Sequence, residues 1–229
     1  ATHGIAPSLY KKLSYDAVRD FTPVLLLGIT PNVMVVHPSV PAMTVAEFIR
    51  YAKANPGKLS YGSSGVGSSP HPGVELFKYM AGVNLVHVPY KGGGQSGVDL
   101  VGGQIQILIT NLPEQIGYIK AGRVRALGVS TLKRAALLPD VPTIAEAGVA
   151  GYEVTVWQGI CAPAGLSRDL LQKINADFIK ALTSPDTKQR LVEQGIEAAP
   201  NSPEQFAAFI QAEVVKWAKV VKESGASAE

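Results

Sequence analysis

Between residues 59 and 130 short apolar runs alternate with segments of helical spacing, and most runs are followed by a glycine- or serine-bearing loop. The runs cover 59–62, 84–88, 105–110 and 124–130, and helices are predicted between them over 72–80, 95–101 and 111–119. Strands that are apolar throughout need cover on both faces, and the intervening helices supply it. The pattern therefore predicts an α/β fold with a mainly parallel sheet. Loops at 62–71, 89–94, 110–113 and 130–131 then follow strand carboxyl ends, where helix N-termini converge and open α/β sheets hold their ligands.

The flanking regions read less regularly. Residues 1–23 carry Pro7 and Pro23 and show no period, so they are expected to be irregular. Two strands are expected at 24–28 and 32–37, followed by a helix over 45–54 with Thr44 and Glu47 as its capping box and Asn55-Pro56-Gly57 as its stop. Residues 134–151 form a long connection with a second capping box, Thr143 to Glu146. An extended apolar run at 152–162 contains Trp157, expected in the core like Trp217. Helices follow over 167–181, from Ser184-Pro185 to 194, and from the Ser202 cap to 221.

With 229 residues, of which 46% are hydrophobic and 17% charged, the chain can bury one large or two small cores. Its 21 Lys and Arg are scattered with few aromatics among them, so no nucleic-acid stripe is present despite a net charge of +3. No run of 18 apolar residues suggests a membrane span. Cys161 is alone and cannot form an internal disulfide. His3, His37, His71 and His87 lack metal-ligand spacing, so neither metal nor cofactor is expected. His37 and His87 flank strands and read as structural histidines. His71 opens a helix beyond a serine loop and is the one placed near a ligand.

That loop is the chain's best anion site. Ser63, Ser64, Ser68 and Ser69 supply hydroxyls, Gly65 and Gly67 admit close backbone approach, and Pro72 suits a first helical turn. The N–H groups of the helix start favour a carboxylate. Enzyme motifs of similar look fail: Val66 stands where a nucleophile elbow needs glycine, Pro70 interrupts the dinucleotide pattern, and no Walker lysine follows. An ordinary turn with capping serines, or a serine hydrolase using Ser64 or Ser68, stays open on residue types alone.

Taken together, Tyr61-Gly-Ser-Ser-Gly-Val-Gly-Ser-Ser69 with His71, His87-Val-Pro-Tyr-Lys-Gly-Gly-Gly94, Asp99-Leu-Val-Gly-Gly103, Leu138-Pro-Asp-Val-Pro-Thr-Ile-Ala-Glu-Ala-Gly148 and Ala162-Pro-Ala-Gly165 resemble the Bug family. These proteins, also called the TctC family, are periplasmic solute receptors of tripartite tricarboxylate transporters. The resemblance runs from residue 2 to about residue 225. It implies a type II periplasmic-binding-protein fold in which two α/β domains surround a cleft. Domain 2 would span 29–156 with the main ligand loop, and 1–28 with 157–229 would belong to domain 1. It further implies no catalysis, periplasmic location, a small organic acid as ligand and membrane subunits as partners; a ligand-dependent sensor module is the alternative.

Residues carried over by the resemblance are Ser63, Ser64, Gly65, Gly67, Ser68 and Ser69 in the carboxylate loop, Thr110 and Asn111 after a cleft-facing strand, and Thr2 and His3 at the rim of domain 1. Pro70 and Pro72 depart from the family pattern. The family begins with a further segment, which leaves domain 1 expected to be incomplete here and predicts an exposed sheet edge with dimerisation.

Overall fold

Phe21 to Val36 form one unbroken strand where two are expected, and this strand enters both halves of the architecture. The computed structural model describes residues 2–10, 12–63 and 70–224. In chain order the elements are α1 (Thr2–Leu9), β1 (Phe21–Val36), α2 (Val45–Ala54), β2 (Ser60–Ser63), α3 (Pro70–Ala81), β3 (Val86–Pro89), α4 (Gly93–Val101), β4 (Ile107–Asn111), α5 (Leu112–Lys120), β5 (Arg125–Val129), β6 (Thr155–Pro163), α6 (Arg168–Thr183), α7 (Pro185–Glu193), β7 (Glu197–Ala198) and α8 (Pro203–Ser224). The chain divides into two units, Pro31–Thr155 and Ala1–Thr30 with Val156–Glu229.

In the Pro31–Thr155 unit the strand order is β3-β2-β4-β1-β5. β2 pairs parallel with β3 and β4, whereas β1 runs antiparallel to both β4 and β5. Four strands thus share one direction and only β1 opposes them, which is the mainly parallel α/β arrangement expected. Val33 and Val35 pack with Leu100, Leu108 and Leu112 on one face. Met34 and Val36, also fully buried, point to the other by strand alternation. Both faces are covered, and that is why these strands are apolar throughout. α2 starts as its sequence dictates, with the Glu47 N–H donating to Thr44 Oγ1 at 3.2 Å, and Gly57 at φ +70° turns the chain after it.

In the other unit β1 pairs with β6 and, at Gly28 and Ile29, with β7. The two-residue β7 leaves no periodic signal and was not anticipated from sequence. Gly28 permits the pairing, since a Cβ there would lie 2.7 Å from Ile196 Cγ2. β1 stays continuous because Pro31, which has no N–H to donate, falls at the changeover from the β7 ladder to the β4 ladder, which begins at Asn32. The expectation of irregular chain over 1–23 is corrected by α1, which tolerates Pro7 because Ile5, Ala6 and Leu9 are buried as it packs along α8. Tertiary burial outweighs the local preference here. Trp157, Phe206, Ile210 and Leu26 form one core cluster of this unit, and Trp217 is buried as expected. Among the described residues no helix is long and apolar enough to cross a membrane.

Candidate functional site

Register brings three rings together at the carboxyl end of β2. Tyr61 and His87 are parallel partners and so share a face of the sheet, where their rings stack at 4.8 Å and 18°. The first turn of α3 lays His71 on His87 at 4.3 Å and 15°. His87 therefore sits between Tyr61 and His71, and its Nε2 is 2.7 Å from Ser63 Oγ. The Tyr61 hydroxyl donates to Glu75, and Lys78 Nζ donates to the same carboxylate at 2.8 Å.

Burial sets the electrostatics of this stack. It pushes the Tyr61 hydroxyl well up, helped by the hydrogen bond to Glu75. Burial, and then the neighbouring His71, hold His87 down at about 4. His71 is lowered chiefly by burial, with Lys78 adding to the effect and Glu75 opposing it. Two neutral imidazoles result at neutral pH, and one atom is left over: His71 Nδ1 is buried without a hydrogen-bond partner. His71 itself is only 7% exposed. Buried polar atoms normally find partners, so this orphan in the first turn of α3 is a candidate contact for a water, an ion or a ligand atom.

A polar row continues along the strand ends on that face. Asn32 and Asn111 are antiparallel partners, as are Val36 and Ile107, while Tyr61 pairs with Ile107. With the two-residue alternation of strands, Tyr61, Ser63, Asn111 and Asn32 all project to one side. The Asn32 N–H donates to Ser130 Oγ and the Ser130 N–H to the Asn32 carbonyl, both at 2.9 Å. The Ser130 hydroxyl donates to the Val154 carbonyl, and Val154 lies against Gly73 in the first turn of α3, where a Cβ would meet it at 3.2 Å. Tyr152 OH also donates to the Gly73 carbonyl at 3.0 Å. The helix start is thereby tied to the ends of β1 and β5.

Of the residues singled out from sequence, Ser63 and Asn111 project to this face, and His71 lies on it through the His87 ring. Thr110 pairs with Val33 and points to the other face, donating to Glu114 Oε2 at 3.1 Å. Asn111 Nδ2 donates to Glu114 Oε1 at 2.7 Å. His3 lies in α1 of the other unit, with Nε2 2.5 Å from the Ala17 carbonyl and its ring edge-on to Phe21. Thr2 opens α1, and its side chain is outside the described residues, as are Ser64, Gly65, Gly67, Ser68 and Ser69. His37 is held by Ser39 Oγ at 2.7 Å, a structural histidine as expected. Asn32, Ser130 and the ring-stacking part of His87 were missed. Only the pairing of β2 with β3 exposes the role of His87, and only the long-range register of β1 with β4 exposes Asn32.

The hydroxyl–imidazole pair of Ser63 and His87 is poorly suited to nucleophilic catalysis. Ser63 is 1% exposed, and an imidazole held near 4 is too weak a base to take its proton. Among the described residues no cluster of His, Cys, Asp and Glu could hold a metal ion. Neutral donors beside a helix N-terminus suit the capture of an anion instead.

The model of the tripartite tricarboxylate transporter family receptor matches residues 1–226. An uncharacterised-family protein encoded between tcbD and tcbE in Pseudomonas sp. strain P51 is 40% identical over 215 residues, 93% of this chain and 64% of that protein. The chain thus spans about two thirds of the length of such relatives. Among solved structures, Rhodopseudomonas palustris Rpa4515 with adipate is 38% identical at a TM-score of 0.87, covering 99% of this chain and 76% of that one. MatC from the same organism, with bound malate, is 31% identical at 0.81, covering 96% and 76%.

Proposed function

The chain belongs to the tripartite tricarboxylate transporter receptor family, and we propose that it serves as an extracytoplasmic solute receptor that binds a small carboxylated ligand and hands it to membrane subunits of such a transporter. The observation that carries this reading is the buried, unpartnered Nδ1 of His71 in the first turn of α3, stacked on the His87 ring that Ser63 contacts. A neutral imidazole protonated at Nδ1 donates to a carboxylate oxygen, and the N–H groups of the helix start add partial positive charge without a buried cation. The loop residues Ser64, Gly65, Gly67, Ser68 and Ser69 would add further donors.

Family membership and two solved relatives holding dicarboxylates support the ligand class. Closure would pivot on the two connections between units, Thr30 to Pro31 and Thr155 to Val156, and so couple occupancy to docking. The test is calorimetric titration of the chain with succinate, malate, citrate, adipate and benzoate, repeated on His71→Phe. That variant keeps a ring for the stack and deletes Nδ1, so affinity for the best acid is expected to fall by about tenfold. Binding of none of the acids, or equal affinity in the variant, refutes the reading.

A further inference from the structure

Asn32 is fully buried, and both atoms of its side-chain amide lack a hydrogen-bond partner. Its backbone is satisfied by Ser130, so the orphan is the amide alone. Across the β1–β4 ladder stands Asn111, whose amide orientation is settled by chemistry: Nδ2 donates to the Glu114 carboxylate, which can only accept. Asn111 Oδ1 must then face away from Glu114, and it too is buried without a partner. Two neighbouring strands thus present, on the face that carries His71 and Ser63, two unfilled acceptors and one unfilled donor.

The composition of that set discriminates between ligand groups. A carboxylate can fill the donor but leaves both acceptors empty. An ammonium can fill the acceptors but has no acceptor of its own, so it leaves Asn32 Nδ2 bare. A hydroxyl donates once and accepts through its lone pairs, so one group answers Asn32 Nδ2 and one of the carbonyl oxygens together. Leaving buried amide atoms unpaired is what makes a site reject a ligand lacking the matching hydroxyl.

We infer that Asn32 and Asn111 read a hydroxyl on the ligand, and that the acid taken by this chain is a hydroxycarboxylic acid. The inference rests on the carboxylate-binding reading and narrows it. Asn32 determines specificity, and the helix start with His71 supplies the general affinity for a carboxylate.

The test titrates the whole chain by calorimetry with matched acids: succinate, malate and aspartate at four carbons, adipate and 2-hydroxyadipate at six. At whichever length binds, the hydroxy acid is expected to exceed its unsubstituted counterpart by about tenfold or more, and aspartate to show no such gain over succinate. Asn32→Leu is expected to erase the preference of the hydroxy acid over its unsubstituted counterpart. Should that variant fail to fold, the malate, succinate and aspartate ranking on the unaltered chain decides. Binding without a hydroxyl preference, or a preference that survives in Asn32→Leu, overturns this inference alone. Binding of no acid overturns the carboxylate reading and this inference with it.

Discussion

His71 and His87 lie ring on ring, 4.3 Å between centroids and 15° from parallel. Two imidazoles so placed cannot both take a proton without repulsion, and burial disfavours even the first. His87 is held at about 4 against an ordinary value of 6.5, so the unfolded chain binds a proton in that interval and the folded chain does not. The stability tied to this group is complete above the unfolded value, declines as pH falls from 6.5 towards 4, and is lost below the folded value. Melting temperature is expected to drop across that interval, and His87→Gln should flatten this part of the profile. An identical profile in the variant would show that His87 does not control it.

Glu213 is the buried anchor of the other unit. Its Oε2 accepts from Trp157 Nε1 at 3.1 Å and Trp217 Nε1 at 3.0 Å, and Lys216 Nζ donates to Oε1 at 3.3 Å. One carboxylate thereby joins β6 to α8. Glu213→Leu removes the acceptor that both indoles share and should destabilise by about 2–5 kcal/mol in urea unfolding, with a shift in tryptophan emission. Glu213→Gln keeps one acceptor oxygen and should lose less. Equal stability of the leucine variant would mean the carboxylate contributes nothing net.

The contrast between what local sequence reveals and what it hides is clear in these residues. Thr44 and Glu47, Thr143 and Glu146, and Ser202 and Gln205 each make the capping contacts their spacing implies, because the partners lie three residues apart. The alternation of apolar runs likewise identifies the α/β sheet, since both periods are local. His71, His87 and Tyr61 become a stack only once β2 and β3 pair and α3 folds back over them, and no window of sequence contains that register. The Asn32–Asn111 pair is hidden for the same reason, across 79 positions of chain separated by other strands. α1 and β7 owe their form to partners, α8 and β1, and their own residues carry no period that would announce them.

Gly159 faces Phe206 so closely that an added Cβ would lie 2.1 Å from Cζ and within 2.9 Å of two further ring atoms. Phe206 is fully buried and edge-on to Trp157. Gly159→Ala is expected to cost about 1–3 kcal/mol by overpacking, with Gly159→Val worse. A melting temperature unchanged in the alanine variant would show that the ring can move aside. Pairing it with Phe206→Leu tests the mechanism directly, since the smaller side chain should relieve most of the loss.

Glu114 occupies donors that the sequence marks for the ligand. Its carboxylate accepts from Thr110 Oγ1 at 3.1 Å and Asn111 Nδ2 at 2.7 Å, and it is exposed beside the face that carries His71. A dicarboxylate arriving there meets a like charge that the chain itself supplies. Glu114→Gln keeps an oxygen to accept from Asn111 and removes the charge, so affinity for a dicarboxylate should rise by about two- to fivefold at low ionic strength. Because the interaction is with an exposed group, the gain should shrink as salt shortens the Debye length from about 10 Å at 0.1 M to about 3 Å at 1 M. Calorimetry of succinate or malate at the two salt concentrations separates the cases. A gain that ignores salt would point to freed donors in place of relieved repulsion, and a loss of affinity would show that Glu114 serves the site by holding the Asn111 amide in its ligand-reading orientation.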